Sequence, residues 1–253
     1  MKQLTEKQIV DNWNKLMQLI EDTFEGDRLR KLKTMYTYFE DRMSVAPASG
    51  KAAYHNAMVG GYVEHGLHVT DCAVQIKKLW ESNGAMINFT DEELIFAALH
   101  HDLGKVGDLN QDYYIPQDSE WHRKNRGEIF KHNPNLQYMT VTDRAIFILN
   151  HFGIVMSQWE YIGLRLTDGM YEEANKSYYM SYNPDWGLKS NIAYILHQAD
   201  MMATHIEGDE WKRADEEVSS NFKKAVTTEE KPQSSPKLTE KSQDLFDELF
   251  GDK

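Results

Sequence analysis

The chain has 253 residues, 41% hydrophobic and 27% charged, with a net charge of −12. At roughly 150 residues per domain this is one or two domains, long enough to bury a core without disulfide or metal staples. So acidic a chain is not a sequence-blind nucleic-acid coat, whose affinity rests on Lys and Arg neutralising phosphates; one local pocket could still admit a nucleotide or a nucleic-acid end.

Helical period dominates from the start. Ile9, Val10, Trp13, Leu16, Met17, Ile20 and Phe24 recur at helical spacing over 5–24, and Leu29, Leu32, Met35, Tyr36, Phe39 and Met43 do so over 27–45. Ala46-Pro47-Ala48-Ser49-Gly50 breaks the pattern. Gly60-Gly61 precedes a third helix, which carries Val63, Leu67, Val74, Ile76 and Leu79 to about Trp80. Thr90 with Glu93 has the spacing of a capping box and opens an apolar helix over 92–101, which Gly104 is expected to end. Residues 108–139 read as irregular and aromatic. Helical pattern returns over 142–152, again over 157–167, and finally over 190–207; the stretch 168–187 reads as loop. Few runs alternate with period two, so the expectation is an all-α domain. It covers 1–208, with N-terminal helices over 5–45 and a helical core over 46–206.

Residues 209–243 are expected to be a flexible linker, because the Ser, Thr, Lys and Glu of 214–242 cannot bury enough apolar surface to offset ordering entropy. The chain closes with an apolar-acidic patch in 244–253, where Leu245, Phe246, Leu249 and Phe250 read as a docking peptide. The single cysteine, Cys72, fits a reducing compartment. The opening residues carry no apolar run of signal-peptide length, and the longest apolar runs are too short to span a bilayer. A soluble cytoplasmic protein with no membrane partner is expected.

A lone histidine on a helix face is more often a core or surface residue than a ligand, so chemistry must be sought in a constellation. Among ten histidines, the sharpest candidate is His100-His101-Asp102-Leu103-Gly104-Lys105, at the end of an apolar helix. Adjacent His and Asp offer an imidazole nitrogen and a carboxylate oxygen to one divalent cation. Lys105 would face an anionic substrate. His65 follows the Gly-Gly turn. Asp200 lies on a helix whose other face is apolar, where a carboxylate is costly unless paired or bound to metal. His65, His101, Asp102 and Asp200 thus give two nitrogen and two oxygen donors from three helices.

This H…HD…D pattern resembles the HD-domain metal-dependent phosphohydrolases. The similarity is finer over 46–206: Ala46-Pro47-Ala48, His55-Asn56-Ala57, Gly60-Gly61 to Glu64-His65, and His101-Asp102-Leu103-Gly104-Lys105 resemble the HD domain of bacterial 3′–5′ exoribonucleases. Gly127 to His132 and Leu149-Asn150-His151-Phe152-Gly153 are similar to two further segments of that group. Phe152 stands where the group has a second histidine, Gly66 replaces its usual Thr, and the OB domain that often precedes is missing. The resemblance implies one metal held by His65, His101, Asp102 and Asp200, and a second held by Asp102, His132 and His151. It implies one or two divalent transition ions (Mn, Fe, Ni, Co or Zn) and Asp102 and Lys105 in catalysis. His55 and His122 are candidates for a phosphate contact or for protonating the leaving group, and Arg126 belongs to a basic run that could collect phosphates.

The final peptide looks like the C-terminal sliding-clamp-binding peptides of tailed-phage DNA polymerases, which implies a clamp partner and a phage-encoded protein in its host's cytoplasm. The expected function is hydrolysis of a phosphoester bond in a nucleotide or a nucleic-acid 3′ end, in the manner of a phosphodiesterase or 3′–5′ exonuclease. A (d)NTP or (d)NMP phosphohydrolase is the alternative, and a clamp-associated adaptor with a vestigial HD site is the alternative from another class.

Overall fold

The computed structural model describes residues 3–180 and 182–228, the side chains of Pro184 and of 215–228 aside. Residues Met1–Ala214 form one compact unit. The architecture is all-α: α1 (Glu6–Thr23), α2 (Gly26–Met43), α3 (Gly61–Ser82), α4 (Asp91–His100), α5 (Glu120–Arg126), α6 (Val141–His151), α7 (Gln158–Arg165), α8 (Lys176–Tyr179) and α9 (Ile192–Thr228). The exception among the described residues is a small antiparallel pair, β1 (Tyr114–Pro116) and β2 (Phe130–His132), in which Tyr114 faces His132.

The helix starts obey local capping chemistry. Thr5 with Gln8, Thr90 with Glu93 and Ser157 with Glu160 each form a reciprocal capping box, satisfying amide groups that the first turn leaves without partners. Helix α4 organises the core. Leu94, Phe96, Ala97, Ala98, Leu99 and His100 are all buried on its ten residues, as befits a helix enclosed on every side. Phe96 and Leu99 join a cluster with Leu16, Ile20, Leu32, Met35 and Phe39 of α1 and α2. Leu94, Ala97 and Ala98 join a second cluster with Val69 and Ala73 of α3 and Ile195, Leu196 and Ala199 of α9. Each large side chain so enclosed contributes roughly 1.5–3 kcal/mol of transfer free energy.

Gly104 does not end α4, which stops at His100; it lies within a 3-10 turn over Leu103–Val106. A Cβ on Gly104 would lie 2.0 Å from the Val141 carbonyl oxygen, so the glycine is there to let this turn sit against the start of α6. The β-pair and α5 fall in the stretch expected to be irregular; strands of three residues are too short to show a period. Helix α9 runs to Thr228, past the 207 expected, because the Ala, Glu, Lys and Arg that follow are good helix formers. The docking-peptide residues Leu245, Phe246, Leu249 and Phe250 lie outside the described residues, as does the rest of 229–253. No helix among the described residues is long and apolar enough to cross a membrane.

A buried ion pair ties α2 to α7. Arg28 lies over the rings of Phe24 and Phe96, at 5.2 and 4.4 Å, and its guanidinium is 2.5 Å from the fully buried Glu160 carboxylate. Removing one partner strands the other charge. Arg28→Ala is expected to cost about 3–5 kcal/mol in urea unfolding, and Arg28→Met with Glu160→Gln, which keeps the Ser157 capping box, to recover part of that loss.

Candidate metal centre

Three helices deliver the four residues singled out in the sequence to one place. His65 projects from the first turns of α3, His101 and Asp102 follow the last turn of α4, and Asp200 lies on α9. His65 Nε2 is 3.3 Å from Asp200 Oδ1 and 3.8 Å from Asp102 Oδ2; His101 Nε2 is 3.5 Å from Asp102 Oδ2 and 3.8 Å from Asp200 Oδ1. Both histidines are buried.

The outer nitrogens fix the tautomers. His101 Nδ1 is 2.7 Å from the Ala98 carbonyl oxygen, which can only accept, so Nδ1 carries the proton. His65 Nδ1 lies 3.0 and 3.2 Å from the two oxygens of the buried Glu207 carboxylate. When either ring is neutral, its Nε2 is therefore the lone pair, turned towards two carboxylates. Neither Nε2 makes a hydrogen bond, although both are buried. The spacings exceed the usual hydrogen-bond range. Donors sharing one ion at roughly 2.1 Å stand roughly 3.0–3.5 Å apart; the 3.3 and 3.5 Å spacings match this, and the two at 3.8 Å are slightly wider. The cluster of His65, His101 and Asp102 could hold a metal ion, and Asp200 extends it.

The electrostatics describe a cation site. Burial opposes charge on the Asp102 carboxyl, but Lys105, His101 and His65 hold it below the usual range. Burial likewise opposes ionisation of Asp200, and His65, His101 and Lys105 again prevail, so Asp200 is ionised. Burial disfavours a charged His65, but Asp200 and Glu207 outweigh it and push its pKa to about 10; a proton and a metal ion compete for the same nitrogen. Lys105 Nζ is 2.6 Å from Asp102 Oδ2, and despite burial the negative charge of Asp102 holds the ammonium well above the usual lysine range.

Glu207 is the functional residue missing from the sequence reading. It accepts from His65 and, at 2.9 Å, from His68 Nδ1. Burial would raise its pKa, but these two bonds bring it down to about 2. Such a carboxylate behind a ligating imidazole orients the ring and raises its basicity. Its signal was its place two helical turns beyond Asp200, on the same face of α9. Asp168 is an exposed residue whose carboxyl is raised above the usual value by surrounding protein, then by the charges of Asp102 and Asp200. It is placed by its neighbours, since His197 donates to the Thr167 carbonyl at 2.7 Å and Gly169, at φ +55°, lies where a Cβ would strike the His197 ring.

The other candidates divide. The His55 ring lies tilted against His65, centroids 4.5 Å apart, and its buried Nε2 has no hydrogen-bond partner. Burial, then the charges of His65 and Lys105, bring its pKa down to about 4, so it is neutral. His100 is structural, bonded to Phe96 O and Tyr36 Oη. The second-metal set is not assembled. His132 packs on Tyr113 and Tyr114, and His151 sits at the far end of α6 against Phe147 and Phe152. No cluster of metal-donor atoms among the described residues includes either. His122 is held by Glu128 at 2.7 Å and belongs to no group of metal-donor atoms among the described residues, and Arg126 lies over Trp121.

Comparison of the chain with protein-family models, with curated proteins and with solved structures found no match.

Two donor groups lie within reach of an ion among the described residues, His65 with His101 and Asp102, and His65 with His55 and Glu207; because they share His65, elemental analysis is expected to find one transition ion per chain. Glu207→Gln is expected to weaken that ion's binding by about 10–100-fold, the usual cost of losing an outer partner of a ligating histidine, as read by competition with a chromogenic chelator.

Proposed function

We propose that this chain is a metal-dependent phosphohydrolase of the HD superfamily, cleaving a phosphoester bond in a nucleotide or at a nucleic-acid end. One observation carries the reading: two buried imidazole Nε2 atoms lie 3.3–3.8 Å from the oxygens of two carboxylates, with Lys105 at their edge. A metal of the mixed nitrogen and oxygen class (Mn, Fe, Ni, Co or Zn) would supply Lewis acidity to a phosphate oxygen and acidify a water.

The chain's own residues do the rest. His65, His101, Asp102 and Asp200 would hold the ion, and Glu207 keeps His65 in the tautomer that ligates. Lys105 places a fixed positive charge where phosphoryl charge builds. Neutral His55, adjacent to His65, can offer a ring N–H to a phosphate oxygen. The pattern of Leu245, Phe246, Leu249 and Phe250 supports a docking peptide for a sliding clamp, with hydrolysis independent of it.

The test is hydrolysis with Mn²⁺ of a mixed nucleotide pool and a 3′-labelled oligonucleotide. Wild type is expected to release phosphate, or to shorten the oligonucleotide, only when metal is present. Asp102→Ala is expected to lose more activity than the roughly 10–100-fold that follows loss of an outer partner. Lys105→Ala is expected to lose roughly 10²–10³ in kcat, measured per bound metal because Lys105 also contacts Asp102. A chain that binds no metal and turns over neither substrate would instead be an adaptor.

A further inference from the structure

Lys105 belongs to two places at once. Its Nζ contacts Asp102, and its side chain also lines a cavity of about 410 Å³ between the end of α2 and the β1–β2 pair. The volume falls within the roughly 300–1,000 Å³ typical of small-ligand sites. Pro47, Val59, Tyr113, Tyr114 and Phe130 supply apolar and aromatic walls. We propose that this cavity takes the aromatic base of the substrate while its phosphate lies at Lys105, so that the substrate is a free nucleotide rather than the end of a long strand. The proposal rests on the phosphohydrolase reading of the adjoining centre.

The walls are built in advance. Arg42 Nε binds Asp112 Oδ1 at 2.6 Å, and its Nη1 donates to the carbonyls of Asp108 and Gln111. Tyr38 Oη donates to the Leu109 carbonyl at 2.8 Å. The loop that leads into β1 is thus tied to α2. Tyr113 is held on one side by His132 at 4.8 Å and on another by the buried Arg144 at 5.6 Å. Rigid aromatic walls bind a flat ring with little ordering cost. The charges set the polarity. Lys105 is a cation at the end shared with the centre; Asp41 and Asp112 put carboxylates on the cavity, and Arg42, which also lines it, pairs with Asp112. The carboxylates can accept from the amino groups of a base. The chain's net charge of −12 opposes a trailing phosphate backbone.

The test uses the full chain with Mn²⁺ and two non-hydrolysable phosphonates, in which a methylene replaces the bridging oxygen: one of adenosine 5′-monophosphate, one of ribose 5-phosphate. By calorimetry the adenosine compound is expected to bind at least about tenfold tighter, as base–aromatic stacking provides. Val59→Trp and Val45→Trp fill the cavity from exposed wall positions; each is expected to remove that difference and leave the ribose compound bound as before. Equal binding of the two compounds, or a difference that survives both substitutions, overturns the proposal. An unlabelled oligonucleotide that displaces the adenosine compound better than the free nucleotide does overturns the choice of a monomer. Turnover of p-nitrophenyl phosphate without any preference for the adenosine compound sinks the cavity alone; that preference without turnover of any phosphoester sinks the phosphohydrolase reading and leaves the cavity standing.

Discussion

The centre depends on one hydrogen bond, from His65 Nδ1 to Glu207. It fixes which nitrogen of His65 is free, and it joins α3 to α9 across a sequence separation of 142 residues. Without it the imidazole could turn, and its buried Nε2 would no longer be aimed at Asp102 and Asp200. The packing exists to serve that alignment. Small residues, Ala73 on α3, Ala97 and Ala98 on α4 and Ala199 and Ala203 on α9, bring three backbones close, and short contacts between helices fix their rotation.

Enclosure of α4 explains the electrostatics. His101 and Asp102 follow a helix buried on all sides, so they enter a space where charge is poorly solvated and each charge is felt strongly by its neighbours. Asp102 stays ionised there because Lys105, His101 and His65 surround it. An acidic chain thereby keeps a local balance of sign that its net charge would not suggest.

Much of this was legible in the sequence. Helical period located α1, α2, α4, α6, α7 and the first half of α9, since those elements bury one face or all faces. The four-residue constellation emerged because polar groups on apolar faces demand partners. The β-pair escaped because three-residue strands leave no pattern. Glu207 escaped because a lone glutamate near a helix end reads as solvated surface until its partners are known. His132 and His151 were attached to the centre through short similar segments, and such segments carry no information about the direction a side chain takes: one histidine is turned onto two tyrosines and the other lies at the distal end of α6.

The order of the donors along the chain has a consequence for biosynthesis. His65, His101 and Asp102 leave the ribosome well before Asp200 and Glu207, which belong to the last helix of the compact unit. An incomplete chain therefore holds two imidazoles and one carboxylate with no α9 to close over them. Docking of α9 closes a long loop, whose entropic cost grows only slowly with its length, and an ion bound across that closure adds its binding energy to folding. The four-donor set is therefore complete only after α9 has docked, whereas its three-donor part is present earlier in the growing chain.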